Sequence, residues 1–466
     1  MSPAPRHTRR RLTGIALGLA FVGAAELLLR ASPFAPPTRD AWNRQYGVIA
    51  IEHYYAEAPA HIVQGETDEG GAWCGPDPQL VATGDPYVDA MEPAKWRCDK
   101  PAGAYRIVVL GESSVQGFGL PSGMTLPDQL GEALSGHAAP IEVINAGVAG
   151  YNSLQIRRMI PEIWRLSPDL VVLYAGHNDF TYYAVVEAAL AARPPLLRAR
   201  RISDFFALTR LGRSLLVKVG ALPAPPAVSP VPTGPLPTPS RSGPAAYNSP
   251  RIPIPRTEAE HDRMIAAQEK AAANIRSLYA EDVTAMAQEA REHDARFVLV
   301  TPVARPDGQI DTSIHWRWLD PTRRARWDEL WGAYRSGQPR ADDPRLVELL
   351  ALDDSYSELR QRAAHGARAA RTLDVAMQHY AAALDRMPPT RSDRAPWGFG
   401  DDVLALAEKL DVPALDLRTD IARTITAPPP AADTLFLDVL HFSPEGARLV
   451  AGRIATFLDA EGLVPR

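Results

Sequence analysis

The sequence predicts an α/β fold built on a parallel sheet, and three observations carry that prediction. From Arg106 onward, short β-branched runs alternate with segments of helical periodicity, the pattern left by parallel strands joined through crossover helices. The runs are apolar almost without interruption, as strands covered on both faces must be. The first three end in small-residue turns that carry polar side chains, where an open parallel sheet places its ligand crevice.

The first strand is expected at Ile107–Leu110. A helix follows, in which Leu126, Leu130 and Leu134 recur every fourth residue and so share one face. The second strand is expected at Ile141–Ile144. Ile156, Ile160 and Ile163 give the next helical stripe, which Pro161 should kink or re-cap. Leu170–Tyr174 reads as the third strand. A long helical pattern from Thr257 to about His293 leads into the fourth, Phe297–Val300, and Val412–Leu417 reads as the fifth. After it, Ser443-Pro444-Glu445 supplies an N-cap, a proline at the first helical position and an acid in the first turn. Val450, Ile454, Phe457 and Leu458 are the expected buried face of that last helix.

Two stretches break the rhythm. Residues 221–256 hold Pro223, Pro225, Pro226, Pro230, Pro232, Pro235, Pro237 and Pro239, too many missing amide donors for a helix or a ladder, and read as an extended, partly disordered loop. Residues 314–397 read as an Arg-rich helical insertion. Within it, Ala363–Leu384 resembles a tetratricopeptide-repeat unit, with Gly366, Ala376, Tyr380 and Ala383 at small and large packing positions. An ordinary helical hairpin packed on the sheet is the competing reading, because a solenoid needs several repeats to bury its faces. Trp316, Trp318 and Trp327 are candidates for lining a sugar or acyl site, against the alternative of a packed surface helix.

At 466 residues, 46% hydrophobic and 23% charged, the chain is long enough for one large decorated domain and too apolar to be disordered throughout. Its formal charge of −5 and the lack of a basic half argue against nucleic acid as a partner. Arg6, Arg9, Arg10 and Arg11 precede an apolar run from Leu12 to Ala25, broken by Glu26 and resumed by Leu27–Leu29. Residues 1–30 therefore read as a signal anchor or a cleaved signal peptide, with a buried soluble helix as a third reading. The run is shorter than the ~20 residues of a comfortable span, so an anchor would have to tilt, thin the bilayer or let Glu26 and Arg30 reach the interface. Gly23, Ala24 and Ala25 form an alternative cleavage site. In either leading case the arginines stay inside. The remainder then faces the periplasm or cell envelope, tethered to the membrane, or is secreted. Residues 31–104 form an extracytoplasmic segment with both cysteines, Cys74 and Cys98. In an oxidising compartment an even pair reads as one disulfide, with two unpaired thiols as the alternative. Without a nearby histidine the pair is a poor zinc signal, and no metal or organic cofactor is implied.

The chemistry concentrates at the strand ends. Gly111-Glu112-Ser113-Ser114-Val115-Gln116-Gly117 places a serine directly after the first strand; it has neither the Gly-Lys-Ser/Thr of a phosphate loop nor the Gly-x-Ser-x-Gly of a nucleophile elbow. Asn145-Ala146-Gly147-Val148-Ala149-Gly150-Tyr151 follows the second, where a glycine can turn its N–H toward the crevice. Gly176-His177-Asn178-Asp179 follows the third, where an Asn amide can donate to a developing oxyanion. Far along the chain, the three-residue spacing of Asp438 and His441 lets the carboxylate reach Nδ1, leaving Nε2 to take a hydroxyl proton. His177 competes as the base, with Asp179 as its only evident orienting acid.

These four blocks, in this order, resemble the SGNH hydrolase superfamily, the GDSL esterases and lipases. Ser113, Gly150, Asn178 and His441 match its four letters and Asp438 its Asp-x-x-His aspartate; Glu112 stands where the family commonly has Asp. The resemblance implies that residues 105–466 form a flavodoxin-like three-layer α/β/α sandwich on a mainly parallel five-stranded sheet. It further implies Ser113 as nucleophile, His441 as base, Asp438 orienting it, and an oxyanion hole from the Ser113 and Gly150 N–H groups and the Asn178 side chain. The expected activity is hydrolysis of carboxylic esters of small-molecule, lipid or glycan type through an acyl-enzyme. Two alternatives accompany it: an envelope carbohydrate O-acetyltransferase or deacetylase using the same residues, and a non-catalytic envelope protein that binds a protein partner through residues 314–397.

Overall fold

The computed structural model describes residues 62–66, 72–76, 95–181, 252, 254–310, 313–426 and 434–465. They all fall within one unit, residues 60–184 with 235–466; a second unit, residues 1–59 with 185–234, lies outside the described residues, as do the expected anchor at 1–30 and the proline-rich stretch up to 251. No helix among the described residues is long and apolar enough to cross a membrane.

The chain's first described elements are a small antiparallel sheet of β1 (Ile62–Glu66), β2 (Ala72–Pro76) and β3 (Trp96–Arg97), in the order β1-β2-β3. Cys74 and Cys98 are joined in a disulfide there. Arg106 ties this sheet to the main body. Its fully buried guanidinium donates to the carbonyls of Cys98 (3.1 Å), Leu166 (2.6 Å), Arg97 (3.2 Å) and Asp99 (2.9 Å), and its Nε to Glu142 (2.8 Å). Five donors in a fixed fork satisfy five acceptors that would otherwise be hard to pair.

The main sheet begins with β4 (Tyr105–Gly111), followed by α1 (Ser113–Gln116), α2 (Leu126–Ala133), β5 (Ile141–Gly147), α3 (Ser153–Ile163), β6 (Leu170–Tyr174) and α4 (His177–Thr181). Then come α5 (Glu258–Glu292), β7 (Arg296–Val300), α6 (Pro321–Arg335), α7 (Pro344–Leu352), α8 (Ser357–Ala369), α9 (Leu373–Asp385), α10 (Phe399–Leu410), β8 (Ala414–Leu415), α11 (Arg418–Thr426) and α12 (Pro444–Ala460). The five strands run in the order β5-β4-β6-β7-β8, all parallel. This α/β arrangement is the flavodoxin-type order, which reverses direction between β4 and β6 and opens its crevice there.

Alternation along each strand explains the layers. Ile107 and Val109 pack with Leu126 and Leu130 of α2 and Val450 and Ile454 of α12. Val108 and Leu110 are equally buried on the opposite face, where α3, α5 and α10 meet the sheet. Local signals set the helix starts. Thr125 and Asp128 form a capping box on α2, as do Asn152 and Gln155 on α3, and Thr257 and Ser443 cap α5 and α12 through the N–H groups of Glu260 and Gly446. Pro161 sits in the last turns of α3, which passes directly into a 3-10 turn at Trp164–Leu166.

Of the expected strands, Val412–Leu417 shortens to Ala414–Leu415. Pro413 has no N–H for a ladder, and Asp416 turns away to accept from Thr301 Oγ1 and the Arg418 amide at the start of α11. The insertion holds α6 to α9, with an apolar cluster of its own that includes Trp327, Trp331, Tyr334, Leu349 and Leu359. Trp327 is thus a core residue and not a site lining. Helices α8 and α9 form a hairpin in which Gly366, Ala376, Tyr380 and Ala383 are all buried. Gly366 faces the backbone of Arg340 and Ala341, between α6 and α7, and Ala383 packs with Ile310 and Met387, so these small positions pack on loop segments. The tetratricopeptide resemblance gains no support from this.

Candidate active site

Ser113 is the first residue of α1, placed at the carboxyl end of β4 by the turn through Gly111 and Glu112. Its Oγ lies 2.8 Å from His441 Nε2, and His441 Nδ1 lies 2.6 Å from Asp438 Oδ2. The loop carrying the last two is built around Asp438 itself. Its Oδ1 accepts from the Leu440 and His441 amides, both at 2.8 Å, a local turn that presents the ring. Phe118 stacks on the His441 ring at 4.2 Å between centroids. Ser114, next to the nucleophile candidate, donates its hydroxyl to the Leu440 carbonyl at 3.2 Å and ties the loop to α1.

Burial raises the Asp438 carboxyl, but the hydrogen bond and charge of His441, with the two amides, outweigh it and hold the group down at about 2. The carboxylate is therefore ionised at neutral pH and fixes the proton of His441 on Nδ1, leaving Nε2 as an acceptor toward Ser113 Oγ.

Asn178 is brought near Gly150 through its contact with Tyr151, the next residue. Gly150 adopts a left-handed φ of 77°, open to glycine at no steric cost. Asn178 spends one amide hydrogen on the Tyr151 carbonyl at 2.8 Å, which leaves its second N–H for a ligand. Gln116 at the end of α1 accepts the Ala149 amide at 2.5 Å. Gly147 is pressed against Val115 and the Gln116 amide, with no room for a side chain. The strand-end turn is thereby held on the helix that bears Ser113.

Sequence reasoning left Glu112 without a role, and the structure gives it one. Its buried carboxyl accepts from the Gly176 amide at 2.8 Å and the Asn178 amide at 3.1 Å, linking the residue before Ser113 to the segment that carries Asn178. Burial, then the nearby Asp179, push this carboxyl well up. The chemistry of the motif, an acid beside the serine, was the available signal. Asp179 turns to Ser153, accepting its hydroxyl at 2.6 Å and its amide at 3.2 Å; burial, opposed by these bonds and reinforced by Asp282, pushes it up to about 7.

His177 stands outside this hydrogen-bonded relay. It is buried, its Nδ1 accepts the Ala395 amide at 3.2 Å, and burial together with the charge of His441 brings it down to about 3. It stays neutral, and Asp179 does not orient it. The insertion reaches this region through that Ala395 contact, and the segment after β7 does so through the Arg305 amide, which donates to the Val439 carbonyl at 2.8 Å. Among the described residues, no group of three or more His, Cys, Asp or Glu is arranged to hold a metal.

Residues 109–332 match the GDSL-like Lipase/Acylhydrolase family. The family is one of ester hydrolases, and the match takes in Ser113, Gly150 and Asn178. It stops short of Asp438 and His441, which the fold returns to Ser113 after the helical insertion. Similar solved structures include the lipase/acylhydrolase from Enterococcus faecalis, 14% identical, covering 77% of this chain and 96% of that one with a TM-score of 0.31. The acetyl xylan esterase AlAXEase is also 14% identical, covering 75% of this chain and 98% of its own with a TM-score of 0.31. No curated protein matches the chain.

Proposed function

We propose that the GDSL-type domain hydrolyses carboxylic esters through an acyl-enzyme on Ser113. The observation that carries this reading is the continuous relay from Ser113 Oγ to His441 Nε2 and from His441 Nδ1 to Asp438, at 2.8 and 2.6 Å. As Oγ attacks the ester carbonyl, its proton passes to Nε2, and the imidazolium is stabilised by Asp438. The carbonyl oxygen becomes an oxyanion, for which the Ser113 and Gly150 amides and the second N–H of Asn178 are the donors. Collapse expels the alcohol, which takes the proton from Nε2. Water then repeats the sequence on the acyl group, releasing the acid and restoring Ser113.

The same proposal places the domain outside the cytoplasm, tethered by residues 1–30 or released after their cleavage. The Cys74–Cys98 disulfide supports it, since such bonds persist in oxidising compartments.

Hydrolysis of p-nitrophenyl esters from acetyl to long acyl, by the protein and its Ser113→Ala variant, tests the reaction. Activity abolished by the substitution is expected, and the chain-length optimum reports the acyl pocket. Folded protein that hydrolyses no member of the series would overturn the proposal.

A further inference from the structure

A cavity of about 540 Å³ lies between the start of α5 and the first part of the helical insertion. None of Ser113, Gly150, Asn178, Asp438 and His441 lines it. Its size falls within the range of small-molecule sites. Much of its wall is apolar: Ile254, Met264, Ile314 and Leu319 contribute, with the rings of Trp318 and Tyr356. Tyr356 is braced by His315 at 4.7 Å and Trp327 at 5.5 Å between centroids, so this face is rigid.

Charge in the wall is one-sided. Arg256, Arg317, Arg324 and Arg391 line the cavity against a single carboxylate, Asp328. Two of the four cations are already committed, Arg317 to Asp354 at 3.0 Å and Arg324 to Asp328 at 3.1 Å. The guanidinium groups of Arg256 and Arg391 have no partner among the described residues. His261 adds a buried Nδ1 without a hydrogen bond, its Nε2 donating to the His315 carbonyl.

An apolar chamber with uncommitted cations favours a ligand with one anionic head and an apolar body. A sugar fits it poorly. Hydroxyl groups need acceptors as well as donors, and here Asp328 is held by Arg324 while the Ser313 hydroxyl is paired with Ser357 at 2.6 Å. We propose that this cavity binds an amphipathic monocarboxylate of the medium-chain fatty acid class, its carboxylate on Arg256 and Arg391 and its chain against Met264, Ile314 and Leu319. Such acids belong to the class that ester hydrolysis releases, but binding here does not depend on chemistry at Ser113.

The test is titration of octanoate into the full-length protein, followed by calorimetry and tryptophan fluorescence. One saturable site is expected, with a fluorescence change that disappears in Trp318→Phe. Arg256→Gln combined with Arg391→Gln should weaken binding by about tenfold or more, the usual worth of a charge-assisted contact. Met264→Trp, which fills the chamber without touching the cations, should weaken it as well. Hydrolysis of p-nitrophenyl acetate should be unchanged in these variants, so failure of this proposal is distinguishable from failure of the reading at Ser113. Octanol binding as tightly as octanoate, glucuronate binding more tightly, or affinity unmoved by the paired arginine substitutions would each overturn it.

Discussion

Asp438→Asn changes one atom of the relay, and the loop geometry dictates how. Oδ1 of Asp438 accepts two backbone N–H groups, from Leu440 and His441. In the variant the amide oxygen must stay there, because an NH₂ group cannot accept them, and the nitrogen is forced into the place of Oδ2. It then donates toward His441 Nδ1, which must become the acceptor. The ring proton moves to Nε2 and faces Ser113 Oγ, the wrong tautomer for taking a proton. Two losses combine. Asp438 held at about 2, against an ordinary 3.8, corresponds to roughly 2–3 kcal/mol in net, shared between His441 and the two amides, and the His441 share is the imidazolium stabilisation that the variant loses. At 29% exposure of the Asp438 side chain, solvent screening leaves most of this intact. Returning the proton to Nδ1 adds a second cost, and the two together should approach the ~10⁴-fold loss known for such a change in serine proteases. The assay is kcat/KM on a p-nitrophenyl ester, with a melting curve to show that the loop, whose amide contacts survive, is intact. A folded variant within tenfold of the parent would refute the reasoning.

Asn178→Ala should lower kcat by about 10²–10³ with KM little changed, since the donor acts on charge that develops only in the transition state; unchanged turnover in folded protein would remove Asn178 from the oxyanion hole. Arg106→Met strands four carbonyls and Glu142, and should cost about 3–5 kcal/mol in urea denaturation, against near-wild-type stability if the fork contributes nothing. Asp179, at about 7 in the fold against an ordinary 3.8, holds its proton in the native state across that interval. Its contribution to stability therefore falls as pH rises from about 4 to 7 and is constant above. Asp179→Asn should flatten that part of the stability profile; denaturation midpoints with the same slope in both proteins would contradict it.

The parts of this account that were legible in the sequence are those written in local periodicity. Leu170–Tyr174 is a strand as expected because all five of its side chains are buried and aliphatic or aromatic residues fill it. The pairing of Asp438 with His441 was legible because a three-residue spacing in a turn leaves few other contacts. What was not legible depends on partners remote in the chain. Arg106 looked like a boundary residue, yet its acceptors lie on Arg97, Cys98, Asp99, Glu142 and Leu166, which only the fold assembles. Choosing between His177 and His441 likewise needed the Ala395 amide, more than two hundred residues away, to occupy His177 Nδ1. The small sheet at Ile62–Glu66 and Ala72–Pro76 left no alternating signal, since Gly65, Gly75 and Pro76 interrupt both short strands.

Covalent labelling tests the central claim most directly. Treatment with a fluorophosphonate, which mimics the tetrahedral intermediate, followed by peptide mass analysis, should find one adduct, on Ser113, with esterase activity lost in proportion to labelling. Hydrolysis that persists in the fully labelled protein, or an adduct on another residue, would contradict the account.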